Sequence, residues 1–351
     1  MGEIDSCQNV TDFDALKRYE HQTYAIIYSI ILLPGLIGNV LALWVFHVYV
    51  KETKKAVIFM INLAVADLLQ VLSLPLRIYY YLNDSWPFGR GLCMFCFYLK
   101  YVNMYASIFF LVCISVRRCM MVLHPLQYTS CRRRMDRTLC AAGWLFVCLC
   151  CLPFPLLRNS SSDKSEKAVN GLDPSERCFA ELPVRNLSAV AGLSLMVGAE
   201  LFGFLVPLGV VGTCTLLTAG NLRQDGGRGR RVRVPAGDGG EKRRALRMVL
   251  SCAGVFLLCF LPYHVTFPLH YVAKARWPSA GCGFRHAVLR CHPVTLCLAS
   301  LNCCLDPVMY YFTTEEFRRR LSRPEISETL QLQRRLSCIT TEDKALTSEP
   351  H

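Results

Sequence analysis

Long apolar runs separated by short polar stretches dominate the chain. Seven of them approach or exceed the roughly 20 residues a helix needs to cross a hydrocarbon core. They lie at 24–46, 56–82, 91–122, 138–157, 189–220, 245–273 and 286–312. The pattern predicts an all-α membrane protein, a bundle of seven transmembrane helices. The run at 91–122 is longer than a bilayer requires, so its helix should tilt or project beyond the membrane. Residues 1–23 are polar and lack the basic start and apolar centre of a cleavable signal. The first span is therefore expected to act as its own insertion signal. After the seventh run, Thr313 and Glu316 fit a capping box, and Phe317 and Leu321 share one face above a basic one. A short amphipathic helix over 313–323 should lie on the membrane surface and stop at Pro324, with 324–351 a disordered tail. Residues 224–240, rich in Gly and Arg, read as a flexible loop.

Charge adds an orientation. Only 19% of residues are charged, against about 25% in an ordinary soluble domain. The formal net charge of +13 would point to nucleic acid in a soluble protein. Here the basic residues sit in short loops beside apolar spans, which is a topology signal instead. Lys51, Lys54 and Lys55 follow the first span, and Arg132, Arg133, Arg134 and Arg137 follow the third. Arg223, Arg228, Arg230, Arg231, Arg233, Lys242, Arg243 and Arg244 follow the fifth, and Arg318, Arg319 and Arg320 the seventh. These segments should be cytoplasmic, which places the N-terminus outside. The sequons at Asn9, Asn159 and Asn186 all fall on the expected outer segments, as glycosylation requires. The chain has 20 cysteines. Most are embedded in apolar runs as small hydrophobes, without the paired spacing of a zinc site.

Polar residues at membrane depth are costly and usually face the bundle interior. Asp67 lies mid-way along the second span and Asp306 in the seventh, with Asn39, Asn62, Asn103, Ser107 and Asn302 at similar depth. They can form one polar seam, read either as a hydrated pocket for a sodium ion or as a static hydrogen-bond network. No other cofactor or metal is expected. Prolines at 34, 75, 153, 155, 207, 262 and 307 can kink their helices. Towards the outer ends stand Arg77, Lys100, Arg158 and Lys274, with Arg185, Arg285 and Arg290 nearer the rim. Tyr79, Tyr80, Tyr81, Tyr98, Tyr101, Tyr105, Phe154, Tyr263, Phe267 and Tyr271 surround them. A cationic pocket with aromatic walls suits an amphiphile with an anionic head.

Gly38-Asn39-Val40, Asn62-Leu63-Ala64-Val65-Ala66-Asp67, Trp144, Pro207, Phe256–Tyr263 and Asp306-Pro307-Val308-Met309-Tyr310 resemble the signatures of rhodopsin-class G-protein-coupled receptors, one per helix from the first to the seventh excepting the third. The resemblance implies a plasma-membrane receptor that activates a heterotrimeric G protein. It also implies a disulfide between Cys93 and Cys178, and a second between Cys7 and Cys282 of the kind found in the purinergic-like branch. Arg118 takes the place of the family's arginine at the end of the third span. Arg117 stands where an acid usually restrains it, so raised basal activity is expected. The switch set is then Arg117, Arg118, Phe256, Phe260, Pro262, Pro307 and Tyr310, with Phe260 replacing the more common Trp. The sodium set is Asp67, Asn103, Ser107, Asn302 and Asp306.

Leu74–Tyr81, Trp86–Gly89, Cys96–Ser107 and Cys297–Asn302 are similar to the lysophosphatidylserine receptors of that branch. Lys100 stands where amine receptors carry Asp, which argues for an anion. The ligand set comprises Arg77, Tyr81, Lys100, Tyr101, Tyr105, Phe154, Arg158, Tyr263, Phe267 and Lys274. Within it the resemblance implies that Arg77, Tyr101, Arg158 and Lys274 hold a phosphoserine head, while Phe154, Tyr263 and Phe267 line the way for the acyl chain. It also implies a setting in lymphocyte signalling. A nucleotide-sensing purinergic receptor is the alternative, since nucleotides also want a cationic mouth. Neither the repeat symmetry of a transporter nor a catalytic constellation is visible.

Overall fold

The computed structural model describes residues 10–49, 57–125, 133–153, 155, 178–179, 189–228, 238–274 and 281–313. Seven helical segments arise from them, and no strand occurs among the described residues. Helix α1 runs Val10–Tyr49, α2 Val57–Asn83, α3 Arg90–Leu123 and α4 Arg133–Cys151. Helix α5 joins Ala189–Glu200 to Val206–Arg228 through a π turn at Leu201–Leu205. Helix α6 joins Asp238–Val255 to Leu261–Lys274 through a π turn at Phe256–Phe260. Helix α7 comprises Cys282–Ser300 and Asn302–Thr313, interrupted at Leu301. All but α4 are long and apolar enough to cross a membrane. The described part of α4 has 19 residues, which at about 1.5 Å each still approaches the thickness of a hydrocarbon core.

Apolar and polar residues are distributed for lipid. On α1, Ile26, Ile30, Leu33, Ile37, Val40, Leu41 and Trp44 form an exposed stripe at helical spacing. Asn39, Asp67, Asn103, Asn302 and Asp306 are buried instead. An outward apolar stripe around a polar interior is the arrangement a bilayer selects. Small residues let helices approach closely there. A Cβ at Gly38 would stand 3.0 Å from Pro307, which sets the spacing of α1 and α7.

The prolines explain the helix irregularities. Pro207 and Pro262 each follow a π turn by two residues. A proline cannot donate to the carbonyl four residues back, and the widened turn is how the chain absorbs that loss. Pro307 likewise cannot bond the carbonyl of Cys303. Asn39 Nδ2 donates to that carbonyl at 2.7 Å and to Gly35 O at 2.9 Å. The asparagine of α1 thus replaces a bond that α7 cannot make for itself.

Helix boundaries depart from the hydrophobic runs at two places. Helix α1 begins well before residue 24, because polar residues of its first turns are tied to the next helix. Lys17 Nζ lies 2.5 Å from Asp84 Oδ2, and His21 stacks at 5.2 Å on Tyr81. Helix α4 begins at Arg133 rather than near 138 because Asp136 is buried and paired. The helix expected at 313–323 lies outside the described residues beyond Thr313, as do the sequons Asn9, Asn159 and Asn186.

Candidate functional site

Cys93 and Cys178 are bonded, with 5.6 Å between their Cα atoms. The bridge holds Phe179 over one end of the bundle, where it meets Tyr80 at 5.5 Å, Tyr81 at 6.0 Å and Trp86 at 5.5 Å. Cys282 is also disulfide-bonded. Its expected partner Cys7 lies outside the described residues.

Beneath this lid Arg77 is only 1% exposed. Its Nη2 donates to Cys96 O at 2.6 Å and lies 3.4 Å from Gln70 Oε1. Its guanidinium sits 5.4 Å from the Phe179 ring centroid, and its Nε has no hydrogen-bond partner among the described residues. Every one of these partners is neutral. Tyr28 and Tyr81 lie in electrostatic reach. Tyr24 stacks on Tyr81 at 4.7 Å and links this group to Lys100, whose Nζ lies 5.8 Å from the Tyr24 ring and 5.7 Å from Tyr101. Lys274, at the end of α6, interacts with Glu20 of α1, and Glu20 also with Lys100. Arg77, Tyr81, Lys100, Tyr101 and Lys274 therefore occupy one end of the bundle, joined through Tyr24 and Glu20 of α1.

Tyr263 and Phe267 stack at 5.7 Å one turn apart on α6. Tyr263 also meets His264 at 5.1 Å, and Tyr105 reaches His264 at 6.1 Å. His264 Nδ1 stands 3.1 Å from Glu200 and its ring stacks on Phe204 at 4.4 Å, which ties α6 to the π turn of α5. Phe154 and Arg158 lie outside the described residues. An outward groove between α3 and the end of α4 is lined by Arg90, Met94, Phe95, Tyr98 and Leu152, and does not contain Arg77, Lys100 or Lys274.

The polar seam is smaller than expected. Asn103 Nδ2 donates to Asp67 at 3.1 Å, while Asn302 Nδ2 donates to Ser107 at 2.8 Å and reaches Asp67 at 3.4 Å. Asp306 adjoins Asp67. Asn39 and Asn62 do not join them. Asn39 serves the Cys303 carbonyl, and Asn62 accepts from Trp144 Nε1 at 2.8 Å to fasten α2 to α4. One oxygen of Asp67, both of Asp306 and the amide oxygen of Asn302 have no hydrogen-bond partner among the described residues. Two buried carboxylates with orphaned oxygens fit a hard cation, which prefers oxygen ligands. No group of His, Cys, Asp and Glu suited to a transition metal occurs among the described residues.

At the opposite end, Arg117 donates to Asp136 of α4 in a short ion pair, with side chains 7% and 0% exposed. Arg118 is buried beside it on α3. Phe256 and Phe260 lie in the π turn of α6, and Phe256 stacks on Phe204 of α5 at 5.5 Å. Tyr310 on α7 donates to Met60 O at 3.3 Å. Asp136 stands among the basic residues that set the topology, so nothing in its surroundings marks it as a partner. Glu20, Gln70, Glu200 and His264 are equally silent, because each is identified only by what another helix brings to it.

A bundle of long apolar helices, with a disulfide and a group of cationic side chains at one end and Arg117 and Arg118 of the third helix at the other, fits a membrane receptor. The chain belongs to the 7 transmembrane receptor (rhodopsin family), whose model matches residues 38–310. It is therefore a multi-pass membrane protein of a receptor family rather than an enzyme. It is 54% identical to human "Probable G-protein coupled receptor 174" over 90% of each chain. It is 45% identical to a human protein named as a putative purinoceptor, covering 89% of this chain and 87% of that one. With human "Lysophosphatidic acid receptor 6" the identity is 31%, over 86% of this chain and 84% of the other. These relatives put it in the purinergic-like group that includes lysophospholipid receptors.

Proposed function

We propose that this receptor recognises an anionic lysophospholipid, lysophosphatidylserine in particular, and responds by activating a heterotrimeric G protein. The carrying observation is Arg77, buried to 1% exposure with only neutral partners among the described residues. Burying a charge without a counter-charge costs several kcal/mol, and an anionic head group offsets that cost when it binds. Lys100 and Lys274 add positive charge on the same end. Tyr101 and Arg158 join Arg77 and Lys274 in holding the head group, while Phe154, Tyr263 and Phe267 line the way for the acyl chain, with Tyr105 completing the set. A relative named for lysophosphatidic acid supports this ligand class.

In this reading the bridge end faces outside, the N-terminus is extracellular, and the receptor works at the plasma membrane with glycans at Asn9, Asn159 and Asn186. A second bridge, Cys7–Cys282, ties the N-terminus to α7. Asp67, Asn103, Ser107, Asn302 and Asp306 would hold a sodium ion in the resting state through their carboxylate, amide and hydroxyl oxygens, and the ion would neutralise charge between α2 and α7. The G protein docks at the Arg118 end, where Phe256, Phe260, Pro262, Pro307 and Tyr310 allow α6 and α7 to shift. No carboxylate precedes Arg118 on α3, which favours elevated basal signalling.

G-protein activation in membranes should be measured with lysophosphatidylserines of increasing acyl length, set against nucleoside di- and triphosphates. A response that rises with chain length is expected. A response to nucleotides alone would replace this reading with a purinergic one.

A further inference from the structure

Glu20 is an acid placed inside a cationic site. Its position is set by α1, whose Lys17 and His21 are held against Asp84 at 2.5 and 3.7 Å. His21 also stacks on Tyr80 at 5.6 Å and on Tyr81 at 5.2 Å. With that rotation fixed, Glu20 shares its face with Tyr24 one turn on, since residues four apart lie above one another. Tyr24 is 2% exposed and carries Lys100 Nζ 5.8 Å from its ring. Glu20 accordingly lies in electrostatic reach of Lys274, Lys100, His270 and Lys17, in that order of strength.

A carboxylate there opposes a purely anionic ligand. Like charges held close together in a poorly solvated site repel. Folding does not need Glu20 to neutralise Lys17, which already has Asp84. A ligand that brings its own cation removes the conflict. A phosphoserine-type head carries two anions and one ammonium, the mirror image of several cations around one acid.

We propose that Glu20 binds the ammonium group of a zwitterionic lysophospholipid head and so selects such heads over purely anionic ones. This inference rests on the lysophospholipid reading above and deepens it.

The test measures G-protein activation by 1-oleoyl-lysophosphatidylserine, its N-acetylated derivative and 1-oleoyl-lysophosphatidic acid. Wild type, Glu20→Gln and Glu20→Asp are compared at matched surface expression. In wild type the free amine is expected to gain roughly ten- to a hundredfold in potency over the N-acetyl compound, the worth of one charge-assisted hydrogen bond. In Glu20→Gln that ratio falls towards one and lysophosphatidic acid gains potency, while Glu20→Asp keeps part of the ratio. An unchanged ratio in Glu20→Gln overturns this inference and leaves the lysophospholipid reading standing. So does an equal gain for all three lipids, which would make Glu20 a tether for the lysines. Silence of wild type towards all three removes both.

Discussion

Replacing Asp136 with Asn should destabilise the receptor more than any conservative change at a comparable surface position. Its partner Arg117 has a side chain 7% exposed, and Asp136 itself is 0% exposed. Asn keeps the shape and hydrogen-bonding capacity but removes the counter-charge. Breaking a buried pair from one side costs about 3–5 kcal/mol, because it strands the other charge. Arg117 lies within two turns of the end of α3, so its long stem can carry the guanidinium outward and relieve part of this. The lower figure, about 3 kcal/mol, is the better expectation. Thermal unfolding in detergent can be followed with a thiol-reactive dye, since Cys113, Cys140 and Cys252 are free and buried. The midpoint should fall by roughly 5 °C or more. Adding Arg117→Met to Asp136→Asn should restore much of the loss, because removing both partners strands neither. An unchanged midpoint in the single variant, or losses that simply add in the double, would refute this account of the pair.

Three further outcomes follow from the packing and the seam. Gly143→Ala should cost about 1–3 kcal/mol by overpacking, since its Cβ would fall 2.1 Å from Phe109 Cε1, and Phe109→Leu should rescue the midpoint. If Asp67 helps hold sodium, wild-type signalling should be damped when sodium replaces choline in the medium, and Asp67→Asn should abolish that dependence. A sodium effect that survives in Asp67→Asn would place the cation elsewhere. Basal second-messenger output should exceed that of receptor-free cells and should fall in the Arg117→Asp, Asp136→Asn double variant, which returns an acid to the position before Arg118. Equal output with and without the receptor would contradict it.

The helices were legible because lipid imposes length and composition on each span independently of its neighbours. Single residues whose work is local to a helix were legible too. Pro207 and Pro262 mark where the backbone departs from α geometry, and Asp67 and Asp306 declare themselves by their cost. What could not be read is what helices do to each other. Asn62 has the chemistry of the polar seam, but its angular position turns it to Trp144. Arg117 gives no sign of its partner until α4 brings Asp136 to it. Glu20 sits in a polar segment ahead of the first apolar run, and only the projection of α1 past the membrane carries it to the lysines. Arg77 was found by charge at depth, whereas its Cys96 carbonyl partner was not, because any backbone carbonyl could have served.

The claim on which the rest depends is that Arg77 is a buried cation completed by an anionic guest. The direct measurement is lysophosphatidylserine-stimulated G-protein activation by wild type and Arg77→Ala at equal surface density. Truncating one side of a buried charge pair usually costs 2–5 kcal/mol, so potency should fall by roughly thirtyfold or more while basal activity persists. A full response in Arg77→Ala at wild-type potency would contradict the account.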